Sequence, residues 1–161
     1  PVGVMTDYEA KFYERGQPIN RLVGTMVPWE EPFPLDLRTV KSRWLDSFAG
    51  EVSEEDLGKH VLSQGNYLWH LFSWELVPHL SGDAARRALA EHEGEEMYLF
   101  YYEYPPEDIP LIRPVTLAQL AAIPTDEGVD WYVVDKDFTW TYVQTHEHDC
   151  GPYFCRVGQV E

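Results

Sequence analysis

The chain of 161 residues carries 28 Asp or Glu against 12 Lys or Arg, a formal net charge of −16 at pH 7, yet 44% of it is hydrophobic and 14% aromatic. That apolar content is too high for a charge-solvated disordered chain, and the length suits one domain with one core. The acidity argues against direct binding of nucleic acid, which starts from a basic patch and counterion release, and against an anionic membrane surface.

Residues 1–34 read as an N-terminal arm and a Pro-rich connector, because the prolines of Val27 to Pro34 remove backbone donors and hold the chain extended. Pro1 to Met5 has no basic region followed by an apolar run, so it does not read as a signal peptide, and no stretch reaches the roughly 18 apolar residues of a membrane span. Residues 35–161 read as a single α+β domain. Leu37, Val40, Lys41, Trp44, Leu45 and Phe48 form a helical stripe that ends at Gly50. Ser53, followed by Glu54, Glu55 and Asp56, is the N-cap signature of a second, short helix that stops before Gly65.

Tyr67 to Ser73 is dense in aromatic and apolar residues, and its length predicts a strand buried on both faces. Ser81, Gly82 and Asp83 open a helix through Leu89 that closes at Gly94. A second strand follows from Met97 to Tyr102 and ends before Pro105 and Pro106. Thr116 to Gln119 fits a capping box opening a short helix to Ile123. Trp131 to Val134 and Phe138 to Val143 flank Asp135, Lys136 and Asp137 as a β-hairpin, in which Phe138, Trp140 and Tyr142 alternate as one aromatic face. A last strand runs through Tyr153 to Cys155. The expected architecture is a four- to five-stranded, mostly antiparallel sheet with about three short helices packed on it.

Several constellations are candidates for chemistry. His146 and His148 project to one face if the strand continues, and with Cys150 and Cys155 they supply the four donors of a zinc site, although the spacing matches no common zinc pattern. A polar strand end before Gly151 and Pro152 explains the same residues without a metal, and no other cofactor is expected. The two cysteines, without a disulfide framework or export signal, point to a reducing cytoplasm. Asp135 and Asp137 form a carboxylate pair, for which hairpin-turn hydrogen bonding is the simpler reading. Trp69, His70, Trp140 and Tyr142 are candidates to line an aromatic pocket, against the plainer expectation that such residues form core. There is no nucleophile elbow and no phosphate-cradling glycine loop.

The acidity is uneven. Residues 1–80 hold 12 acids against 7 bases, whereas residues 81–161 hold 16 against 5. Glu93, Glu95, Glu96, Asp126, Glu127, Asp130, Asp135 and Asp137 sit in expected turns or helix ends, and if these loops converge they make an anionic face for a basic protein partner. The alternative is that the acids keep an aromatic-rich protein soluble. Exposed aromatic surface would equally suit a homo-oligomer interface.

Trp69-His70-Leu71-Phe72-Ser73-Trp74, Tyr98 to Tyr102, Val134 to Val143, Thr145-His146-Glu147 and Gly151-Pro152-Tyr153-Phe154 together resemble a family of small uncharacterised bacterial single-domain proteins. The resemblance spans roughly residues 37–157 and implies a bacterial cytoplasmic protein, with no catalytic motif and no assigned activity. In architecture and charge the chain is also similar to immunity proteins of toxin–immunity pairs. The leading expectation is therefore a non-catalytic, immunity-type binding protein. The alternatives are a small metal-dependent hydrolase using His146 and His148, or a ligand-sensing module with an aromatic pocket.

Overall fold

The structure is a computed structural model that describes residues 37–62, 67–101, 112–123, 130–147 and 149–158. The N-terminal arm and Pro-rich connector lie outside the described residues. Among the described residues there are five helices, α1 (Leu37–Phe48), α2 (Glu54–His60), α3 (His70–Ser73), α4 (Gly82–Ala90) and α5 (Leu117–Ala121). The same residues form six strands, β1 (Leu80–Ser81), β2 (Met97–Tyr101), β3 (Ile112–Val115), β4 (Trp131–Asp135), β5 (Trp140–Gln144) and β6 (Tyr153–Arg156). They form one sheet in the order β1-β6-β5-β4-β2-β3, with every pairing antiparallel. The architecture is α+β, as the sequence implies. Two short strands that carry no alternation of their own, β1 and the Pro114-bearing β3, close its edges, where a missing donor and a short ladder are tolerated.

Both faces of the sheet are covered, which explains why its strands read as continuous apolar runs. Trp131, Val133, Trp140, Tyr142 and Phe154 pack with Ala85, Ala88 and Leu89 of α4 and Leu120 of α5. On the other face Tyr132, Val134, Val143, Tyr153 and Cys155 pack with Val40, Trp44 and Phe48 of α1 and Leu71 and Phe72 of α3. The helix stripe of α1 is thus satisfied by the sheet. Its end is sharp because a Cβ on Gly50 would lie 2.8 Å from the Asp46 carbonyl oxygen, so only glycine lets the chain leave so close to the last turn. Ser53 caps α2 by accepting from the Asp56 amide at 3.1 Å. Thr116 and Gln119 form the reciprocal capping box of α5.

Two local expectations are corrected. Tyr67 to Ser73 is not a strand: Leu68 and Trp69 make a turn that runs into α3, with Leu71 N–H bonded to the Leu68 carbonyl and Phe72 N–H to that of Trp69. Burial of Leu68, Trp69, Leu71 and Phe72 is what the segment needs, and a helical turn provides it while satisfying its own backbone. Phe138 does not continue the face of Trp140 and Tyr142. It adopts φ of 55° in the hairpin turn, and its ring packs on the α1 face beneath the Arg43 guanidinium, 4.4 Å from the centroid.

Candidate functional site

Sheet register decides which loops meet. Met97 pairs with Asp135 and Trp140 with Arg156, so the α4–β2 connection, the β4–β5 turn and the end of β6 share one end of the sheet. That end gathers the exposed carboxylates of Glu91, Glu93, Glu95, Glu96 and Asp137. The end of α1 adds Asp46 and Glu51, which lie beside Arg156, Val157 and Gly158. The cations near them include Arg43, Lys136 and Arg156, and Arg156 is engaged by Glu91 at 3.3 Å. Some of the acids are held in place: Glu95 meets His92 Nδ1 at 2.5 Å, and Glu96 accepts from the Tyr98 hydroxyl at 2.5 Å. Burial, helped by that bond to Glu96, pushes the Tyr98 hydroxyl up to about 12, so it remains a donor to the carboxylate.

The expected acidic set is divided by the fold. Asp135 turns its carboxylate into the hairpin, accepting from Thr139 N–H at 2.6 Å, Thr139 Oγ1 at 2.5 Å and Trp140 N–H at 3.1 Å, so it organises the turn. Asp130 is set apart from the others: it is only 8% exposed and lies at the opposite end of the sheet. Asp126 and Glu127 lie outside the described residues.

Asp130 instead centres a polar cluster. Its Oδ2 accepts from Trp69 Nε1 at 2.9 Å, and its Oδ1 accepts from the His146 amide at 2.6 Å and lies 2.8 Å from His146 Nδ1. The other ring nitrogen of His146 is 3.6 Å from Glu147 Oε1. Trp69 packs at a tilt against His70, with ring centroids 4.2 Å apart, while Tyr67 lies 5.9 Å from His70 and 5.4 Å from His146. The hydroxyl of Tyr132 accepts from Trp69 N–H at 3.1 Å. The sequence offers no signal for this arrangement, because Asp130, Trp69 and His146 come from three separate segments.

His70 sits at the edge of the cluster, its Nδ1 2.8 Å from Ser73 Oγ. Burial holds its pKa below the ordinary 6.5, and His146 pushes the same way against the opposing carboxylates of Glu147 and Asp130. Folded His70 therefore binds its proton less tightly than unfolded His70. The stability this contributes is complete above pH 6.5 and is lost as pH falls through the lowered folded value. Urea unfolding between about pH 7.5 and about pH 5.5 is expected to show a smaller loss of stability in His70→Gln than in the wild type. Equal losses in the two proteins would refute this role.

The remaining candidates do not assemble. Trp69 belongs to the α1 face, whereas Trp140 and Tyr142 belong to the α4 face, so they line no common pocket. Trp140 stacks on His92 at 4.3 Å, and its buried Nε1 has no partner among the described residues. Cys155 is buried and donates to the Pro78 carbonyl at 3.5 Å, and burial pushes its thiol up to about 11. Cys150 instead contacts Glu147 Oε2 at 3.5 Å, and the two thiols are unpaired. His148 lies outside the described residues, and among the described residues no three His, Cys, Asp or Glu side chains are placed to hold a metal. No helix among the described residues is long and apolar enough to cross a membrane.

A family model described as a domain of unknown function (DUF4275) matches residues 37–154. Comparison with curated proteins and with solved structures finds no match.

Proposed function

The chain belongs to the DUF4275 family, and from that premise we propose that it is a non-catalytic binding protein whose acidic sheet end docks a basic protein partner. The observation that carries this reading is the register that brings the α4–β2 connection and the β4–β5 turn together. It concentrates Glu93, Glu95, Glu96 and Asp137 as exposed carboxylates, of which Glu95 and Glu96 are each held by a local bond, to His92 and to Tyr98. Such a field speeds encounter with a cationic surface and fixes its orientation, with the strongest effect at low ionic strength. The concrete form is an immunity-type inhibitor that covers the cationic active site of a cytoplasmic toxin.

The test is charge reversal. Affinity capture would identify a partner, and the purified partner would be titrated with wild type and with a Glu93→Lys, Glu95→Lys, Glu96→Lys, Asp137→Lys variant. The variant is expected to bind about tenfold or more weakly at low salt, with the difference shrinking as salt screens the charges. A partner held equally by both proteins, with the same salt dependence, would rule this reading out.

A further inference from the structure

Beside the acidic turns runs a groove of about 540 Å³ between the end of α1 and the end of β6. Phe48, Val77, Pro78 and Val157 give it apolar walls, while Asp46 and Glu51 stand at its rim. Val157 keeps 50% of its surface exposed, which leaves an apolar lip on a strongly acidic end. Helix α1 has no basic residue in its last turn, so the partial negative charge of its terminal carbonyls adds to the rim carboxylates without compensation from within the helix. Arg156 also lines the groove, but its guanidinium is drawn to the other face of the sheet, 4.7 Å from the Phe154 centroid and 3.3 Å from Glu91.

Apolar walls beneath an anionic rim complement one kind of side chain, a long aliphatic stem that ends in a cation. We infer that this groove accepts a lysine or arginine side chain projecting from a basic protein partner. The stem lies along Phe48, Val77, Pro78 and Val157, and the head meets Asp46, Glu51 and the end of α1. This inference rests on the docking function proposed above and adds to it a specific anchor point. The volume suits a short segment around that side chain rather than a lone ion.

The test uses the full chain labelled with ¹⁵N and titrated with acetyl-Gly-Lys-Gly-amide, its arginine analogue and its norleucine analogue. Amide shifts are expected at Phe48, Gly50, Val77, Val157 and Gly158 with the lysine or arginine peptide and not with norleucine. An Asp46→Asn, Glu51→Gln variant alters exposed side chains alone and is expected to weaken peptide binding about tenfold. Equal shifts with norleucine would overturn the proposal by making the groove merely apolar. A silent groove, with or without shifts at residues 93–96 and 137, would overturn it as well. The charge-reversal titration of a purified partner reads the docking function separately, so failure of the groove leaves that result standing.

Discussion

Asp130→Ala is expected to lower the free energy of unfolding by roughly 3–5 kcal/mol, because it removes a buried acceptor shared by donors from separate segments. At 8% exposure Asp130 has little access to water, and its two oxygens hold the Trp69 indole N–H, the His146 amide and the His146 ring. Those partners join the turn before α3, the start of β4 and the segment after β5. Removing the carboxylate therefore releases the ties between these three segments. Asp130→Asn keeps one carbonyl acceptor and is expected to cost less, roughly 1–3 kcal/mol. Urea unfolding monitored by tryptophan fluorescence measures both, and thermal unfolding of Asp130→Ala should drop by roughly 10 °C for a chain of this size. A loss under about 1 kcal/mol for Asp130→Ala would show that the carboxylate is in effect solvated.

Trp44→Ala is expected to cost a similar roughly 3–5 kcal/mol, for a different reason. The side chain is 0% exposed and sits where α1, α3 and the sheet meet, with ring centroids 5.4 Å from Phe48, 5.7 Å from Phe72 and 5.8 Å from Tyr132. Truncation removes that packing and opens a cavity that three surrounding rings cannot easily collapse. The indole N–H also donates to Thr141 Oγ1 at 2.9 Å, and the same hydroxyl donates to the Val133 carbonyl at 2.9 Å. Thr141→Val alone orphans the indole N–H and should cost roughly 1–3 kcal/mol. In the Trp44→Ala background it should cost markedly less, because the donor it strands is already gone. Additive effects of the two substitutions would argue that the bond contributes nothing.

The local parts of the fold are readable wherever the controlling interaction spans a few residues. The stripe of α1, the Ser53 cap of α2 and the Thr116–Gln119 box of α5 each depend on neighbours within one or two turns, and all appear as expected. The run from Tyr67 to Ser73 misleads because its apolar residues are consecutive. Such a pattern demands burial without stating a period, and the helical turn wins once the sheet positions are taken by other strands. Phe138 misleads because it lies in the turn before β5, in the left-handed region, so its ring joins the α1 face instead of continuing the alternation of Trp140 and Tyr142.

The candidate sites divide along the same line. The count of acids, their concentration after residue 80 and the apolar content that requires a core are properties of the sequence itself. Which of those acids face water is not. Asp130 and Asp137 are both turn-flanking aspartates in the sequence, yet one is buried against Trp69, 61 positions away, and the other is exposed. Trp69 and Trp140, both aromatic and both buried, end on opposite faces of the sheet. By itself, then, the sequence determined composition, charge, caps and periodicities, because these act over a few residues. Strand register and face were decided only in the tertiary structure, since they arise from contacts between distant segments such as Trp44 and Thr141, 97 positions apart. Those contacts separate the buried Asp130 from the exposed acids at the other end of the sheet.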